Sequence, residues 1–376
     1  MENQSILDYV YGYGISSFEE VPFFDLDAAV FAELAYLDFE NTSANSPSFK
    51  KDSLKNILIE HFSEVRLKEN NGYRMTGDDA LALACMSSHR YSDVKVLRIR
   101  QVFSQEKKIQ FFAVEFQLPK GDIVISCRGT DLSITGWEEN ADLVCYASNP
   151  GQRMAASFLQ ESYLKHPRSG YYITGHSKGG NLAVFAASLS SEKDARRIRN
   201  VYCFDGPGLM KEMYDFVGHE RIRNKTVFIV PEDDMVGMIM EHEEVSYVVE
   251  TSKKGDYVNS HYIMNWLVDK DRFVRKSDIS SFSKSFSEAT DKLFTDYLGD
   301  IETRIEFFGF FFQTVRSLGI EDPQKIFDSP VSFFFSFSNQ VRKSKNRGMF
   351  IRFIKAYISY FGSTFLKKKT EKTESR

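Results

Sequence analysis

Two periods of hydrophobicity divide the chain. Up to about residue 90 the apolar residues recur three and four apart, over Asp27–Phe39 and again over Ser53–Phe62, which predicts helices. The polar run Met75-Thr-Gly-Asp-Asp79 reads as a cap opening a further apolar helix over Ala80–Ser88. From Val94 the period shortens. Val94–Phe103 and Ile109–Leu118 are β-rich runs split by the polar Ser104-Gln-Glu-Lys-Lys108, a hairpin pattern. Strand signals follow at Ile123–Cys127, Tyr171–Thr174, Val201–Phe204, Thr226–Val230 and Val245–Glu250, with helical stretches such as Met154–Lys165 and Leu182–Ser190 between them. Strand and helix in alternation predict an α/β fold, a mostly parallel sheet with helices on both faces. After about Asp271 the strand signals stop. The expected organisation is an α/β domain over 1–270 and a Phe-rich helical appendage with a basic tail over 271–376.

Composition adjusts this picture in three places. Thirty-four Phe and eighteen Tyr point to a large core, an apolar binding surface, or both. The four cysteines, Cys85, Cys127, Cys145 and Cys203, form no C-x-x-C pair, so zinc and thioredoxin-type chemistry have no support and buried thiols in a reducing compartment are expected. The net charge of −4 is unevenly spread: Gln340–Arg376 holds eleven Lys/Arg against two Glu, a net of +9, so the remaining 339 residues carry −13. The N-terminus has neither the basic nor the apolar region of a signal peptide, and no run of about 18 apolar residues occurs, so a cytoplasmic protein without a membrane span is expected.

The chemistry concentrates at Tyr171-Tyr-Ile-Thr-Gly175-His-Ser177-Lys-Gly179-Gly-Asn-Leu-Ala. A G-x-S-x-G set between an apolar strand and an apolar helix describes a nucleophile elbow. Ser177 stands at the tip of the turn, and Gly175 and Gly179 leave room for strand and helix to pack closely. The helix beginning at Lys178 aims its N–H groups at the reacting carbon, making Lys178 N–H a natural oxyanion donor. A hydroxyl needs a base. His176 adjoins Ser177 and its side chain diverges from it; His61, His89 and His166 precede the elbow. Of His219, His242 and His261, the last follows the final predicted strand and is the favoured base, while His242 sits in a charged cluster.

A second segment, Ile123-Val-Ile-Ser-Cys-Arg128-Gly-Thr130-Asp, followed by Gly136-Trp137 and Asp142, joins the elbow in resembling the class-3 lipases, with Cys127 where those usually have an aromatic. That resemblance implies an α/β-hydrolase fold and makes Thr130 the second oxyanion donor. It also implies an acid from the Asp-x-Val unit after a strand, which Asp234-Met-Val236 matches; Asp205, in Cys203-Phe-Asp-Gly-Pro-Gly208, is the alternative, and Asp233 a third candidate. Ser16-Ser-Phe-Glu-Glu-Val-Pro-Phe, Leu37-Asp-Phe and the elbow further resemble a bacterial branch, the Mbeg-like domain family of unknown function, over about residues 5 to 268.

These readings converge on a serine hydrolase of acyl esters, lipid-like ones included, needing no metal or organic cofactor. Two alternatives stay open: a non-catalytic hydrolase fold acting as a binding or scaffold module at a membrane surface, and a hydrolase of amides or thioesters. Residues 340–376, where Gly348–Phe361 mixes apolar and basic positions before Lys367-Lys-Lys369, suit peripheral contact with an anionic membrane on its inner face, with a solvated tail or a helical cap as the competing readings. An acidic body without a recognised module disfavours nucleic acid.

Overall fold

The β-branched and aromatic runs pair as their period predicts. The computed structural model describes residues 4–69, 76–131, 133–243, 245–320, 325–326 and 329–374, with the backbone alone for 64–69, 330–331 and 362–374. Eleven strands form among them: β1 (Asp52–Ser53), β2 (Lys95–Ser104), β3 (Ile109–Gln117), β4 (Ile123–Cys127), β5 (Tyr171–His176), β6 (Ile198–Phe204), β7 (Thr226–Pro231), β8 (Tyr247–Val249), β9 (Val268–Asp269), β10 (Arg272–Phe273) and β11 (Arg275–Lys276). Nine of them make one sheet in the order β1-β2-β3-β4-β5-β6-β7-β8-β11, and β9 pairs with β10. β4 to β8 are parallel, and β3 and β11 flank them antiparallel. This is an α/β-hydrolase sheet. β9 to β11 are too short to carry a readable period in the sequence.

Every residue of β4 is buried, which a parallel strand tolerates only when both faces are covered. One face receives the helix Asp25–Leu34, buried from Leu26 onward. Two strand hydroxyls fix it there: Ser126 Oγ donates to Phe31 O at 2.7 Å and Thr174 Oγ1 to Ala28 O at 3.0 Å. Tyr202 and Phe204 share that core. Cys203, between them, points to the opposite face, where a Cβ on Gly180 would fall 2.7 Å from its Sγ in the wholly buried helix Lys178–Ser188. The cap expected at 75–79 is present from Thr76, whose Oγ1 accepts from Asp79 N at 3.2 Å; Met75 lies outside the described residues.

The chain forms two compact units. The first comprises 1–102, 111–129 and 151–279; the second comprises 103–110, 130–150 and 280–376. The second therefore begins its C-terminal part at Ser280 instead of near 270, and it takes in two earlier segments. Their side chains explain this: Ile134 shares a buried cluster with Phe312, Val315, Phe337 and Val341, and Arg316 pairs with Glu138 at 2.7 Å. Within this unit the phenylalanine runs divide. Phe307, Phe312 and Phe337 are core, whereas Phe334 and Phe335 stand 58% and 69% exposed. All four cysteines are free and buried.

Candidate active site

Ser177 closes β5 with φ +58° and ψ −132°, a conformation that costs a residue with a Cβ strain energy and is held by its surroundings. Its N–H donates to Phe204 O at 2.9 Å. The flanking glycines are steric necessities. A Cβ on Gly175 would lie 2.2 Å from Gly179 O, and one on Gly179 would lie 2.1 Å from Cys127 O. Gly129, after Arg128, is equally confined: its Cβ would meet His176 O at 2.7 Å and Ser177 Cβ at 3.2 Å. Ser177 itself is half-buried and reachable. Lys178 opens the helix behind it.

β6 ends one strand away in the same register, His176 opposite Phe204, so Asp205 emerges level with Ser177. Asp205 also has positive φ, +47°, and its N–H donates to Ile229 O at 2.8 Å. Its carboxylate is fully buried and Oδ2 lies 2.7 Å from His261 Nδ1. His261 thus meets Asp205, not Asp234, the acid expected from the Asp-x-Val unit. Asp234 is turned away into its own turn, where Oδ1 accepts from Val236 N and Gly237 N at 2.9 and 2.8 Å and Oδ2 from Met238 N at 3.1 Å. It remains adjacent: the two carboxyl groups are hydrogen-bonded to each other, and Gly237 N also donates to Asp205 Oδ1 at 3.0 Å. Asp233 plays a third part, its Oδ2 accepting from Gly255 N at 2.6 Å at the start of the loop that carries His261.

Burial dominates the electrostatics. Two touching carboxyls inside the protein cannot both ionise. Burial and then the Asp205 charge push Asp234 well above the carboxylate range, while Asp205 is raised by burial only to about 6, offset by its hydrogen bonds from Asp234 and Gly237. The proton of the pair therefore sits on Asp234. Desolvation lowers His261 to about 4, so the ring is neutral at pH 7.

His176, set aside as a base because it adjoins Ser177, has a place of its own beside His261. Its Nε2 lies 2.8 Å from His261 O, so it donates to the backbone of His261, and the two rings are 4.6 Å apart. Burial holds His176 well below its usual range, leaving Nδ1 an acceptor facing Tyr36 OH at 3.3 Å and Glu33 Oε1 at 3.4 Å. Burial, then Asp78, raises Glu33. A buried polar chain running from the Asp25–Leu34 helix to His261 needs residues 140 positions apart, which no local pattern reveals.

The remaining expected residues make other side-chain contacts. Thr130 is the first residue of a second-unit segment, its hydroxyl donating to Asn140 Oδ1 at 2.9 Å. His219 is buried against Glu243 at 2.6 Å and Ser188 at 3.1 Å, and His242 turns to Glu243 O at 2.7 Å. Among the described residues no three His, Cys, Asp or Glu side chains converge as metal ligands would.

The sequence profile of one family matches residues 85–313, well over half of the chain. The protein belongs to the Mbeg1-like family. The match takes in Ser177, Asp205, Asp234 and His261 and stops ahead of the last two long helices; the expected span, about 5 to 268, was placed earlier in the chain. No curated protein sequence matches this Mbeg1-like chain. Among solved structures it is similar to lipase II from Rhizopus niveus, at 16% identity and TM-score 0.31 over 48% of this chain and 71% of that one. It is also similar to the M37 lipase, at 16% and 0.38 over 66% and 83%. A third similarity is to the Rhizomucor miehei lipase in its propeptide complex, at 16% and 0.33 over 56% and 61%, so the chain spans less than two thirds of that relative.

Proposed function

We propose that this Mbeg1-like protein is a serine hydrolase of acyl esters in which Ser177, His261 and Asp205 act as nucleophile, base and orienting acid. The observation that carries the reading is the 2.7 Å pair between His261 Nδ1 and Asp205 Oδ2, formed at the strand end level with a serine held at φ +58°. Asp205 fixes the tautomer that leaves Nε2 unprotonated and stabilises the imidazolium when it forms. Ser177 Oγ attacks the ester carbonyl carbon as its proton passes to His261 Nε2, and the carbonyl π electrons become the oxyanion charge. Lys178 N–H receives that charge; Thr130 N–H is the proposed second donor because Thr130 follows Gly129 directly in the chain. Collapse of the intermediate breaks the carbon–alkoxy bond, and His261 returns the proton to the departing alcohol. Water then repeats the cycle on the acyl-serine, releasing acid and regenerating Ser177.

A fluorophosphonate probe tests the nucleophile independently of substrate. It should label the protein at one site and fail on Ser177→Ala. Hydrolysis of p-nitrophenyl esters of graded chain length then tests the ester class, with matched anilides and thioesters as competitors. Labelling that persists in Ser177→Ala refutes the assignment; labelling without turnover of any acyl compound leaves a binding module.

A further inference from the structure

Of the two long helices closing the second unit, Pro330–Lys343 and Arg347–Glu374, the positions 332–361 bury one side and leave the other uncovered. Inward, Phe337, Val341, Met349 and Phe361 are buried. Outward, Arg347, Ile351, Arg352, Lys355 and Ile358 follow one another at helical spacing and are all exposed, Ile351 by 46% and Ile358 by 63%. On the preceding helix Phe334 and Phe335 stand in solvent ahead of Arg342 and Lys343. Not one Asp or Glu occurs from Gln340 to Thr370. A solvated helix ordinarily mixes both signs, and adjacent exposed apolar side chains rimmed by charge of one sign mark an interaction surface.

A hollow of about 510 Å³ opens beside this stripe. Lys345 and Arg352 supply cations to it, Asn346 supplies an amide, and Glu306 is its one carboxylate; the hydroxyls of Tyr297 and Thr303 line it while donating to Met349 O and Asp300 Oδ2. The paired cations Lys345 and Arg352 at its edge suit the phosphates of lipid headgroups, and the apolar residues alternating with cations suit the acyl boundary next to them. Among the described residues no helix is long and apolar enough to cross a membrane.

We infer that the outward face of these two helices docks on a membrane rich in anionic phospholipid, with Phe334, Phe335, Ile351 and Ile358 entering the acyl boundary and Lys345, Arg352 and Lys355 engaging headgroup phosphates. The segregation of charge favours this orientation, since the other 339 residues carry −13 and are repelled by the same surface. The side chains of 362–376, Lys367–Lys369 among them, lie outside those described.

The test is flotation of the full chain with vesicles of phosphatidylcholine alone and of an equal phosphatidylcholine–phosphatidylglycerol mixture. Binding is expected to the mixture only and to fall in about 1 M salt, where the Debye length is about 3 Å. Lys345→Gln, Arg352→Gln and Lys355→Gln together should weaken binding about a hundredfold, from about fivefold per cation. Phe334→Ser with Phe335→Ser should weaken it about tenfold or more. All five positions, Lys345, Arg352, Lys355, Phe334 and Phe335, are exposed, so melting curves should match the parent, and Ser177→Ala should bind as the parent does, which separates this result from the fate of the hydrolase reading. Equal binding to both vesicle types, or undiminished binding by the triple variant, overturns the inference. Release by inorganic phosphate at the headgroup concentration assigns the hollow to a soluble phosphate and overturns it as well.

Discussion

Asp205 and Asp234 are both buried, both at strand ends and hydrogen-bonded to each other, yet the geometry gives them opposite charge states, and substitution can separate them. Asp205→Asn removes the acceptor of His261 Nδ1–H and permits the wrong tautomer, so fluorophosphonate labelling at pH 7 should fall by about 10⁴-fold. Asp234→Asn keeps a neutral donor toward Asp205 and should label within about twofold of the parent, since a retained hydrogen bond leaves the ionised partner as stable as before. Asp234→Ala takes that donor away. A hydrogen bond to a buried charge is worth about 1.5–3 kcal/mol, and one pH unit corresponds to about 1.36 kcal/mol, so the proton affinity of Asp205 should rise by about one to two pH units. The parent's labelling rate should decline on the acid side near pH 6, where Asp205 takes up its proton, before His261 protonates near 4. In Asp234→Ala that limb should move to higher pH, cutting the rate at pH 7 about two- to tenfold while leaving the rate at pH 9 near the parent's. The assay is labelling rate against pH for all four proteins. If Asp234→Asn is as inactive as Asp205→Asn, or Asp205→Asn is active, Asp205 is not the sole orienting acid and the reasoning fails.

Three further outcomes follow from the packing. Gly179→Ala would set a methyl 2.1 Å from Cys127 O, so the strand–helix contact must open, at a cost of about 1–3 kcal/mol or more in urea unfolding, with labelling lost in parallel. Asp27 accepts from Arg90 Nε at 2.7 Å, Tyr9 OH at 2.9 Å and Tyr91 OH at 2.6 Å, all buried; Asp27→Ala strands the guanidinium and should cost about 3–5 kcal/mol by the same measurement. Glu33 has a folded pKa raised above its unfolded value by burial and then by Asp78, so the folded state holds the extra proton and stability declines as pH rises above 4.5 toward the folded value. Glu33→Gln should flatten that decline in melts at pH 5, 6.5 and 8, and equal slopes would refute it.

How much of this site the sequence could yield depends on the distance over which each choice is made. The elbow was legible because its causes are local: Gly175 and Gly179 sit two residues either side of Ser177 and touch each other's backbone, so the spacing is the geometry. His261 was reachable by chain order alone. The choice between Asp205 and Asp234 was not, because each follows a buried strand, each has the short side chain such an end favours, and which one faces the imidazole depends on loop paths nearly thirty residues apart. One signal did lie in the sequence and pointed to Asp205. It is followed by Gly206, and a Cβ there would fall 2.7 Å from Ser177 O, so the chain after Asp205 must pass against the elbow; Asp234 is followed by Met235 and Val236, which no such approach requires. A glycine next to an acid at the strand beside Ser177 is therefore better evidence of contact than an Asp-x-Val match one strand further out. The same reasoning explains the second unit. Its early segments join the late helices through Ile134 and Glu138, single residues whose partners Phe312 and Arg316 lie some 180 positions on, and hydrophobic period carries no record of which apolar face meets which.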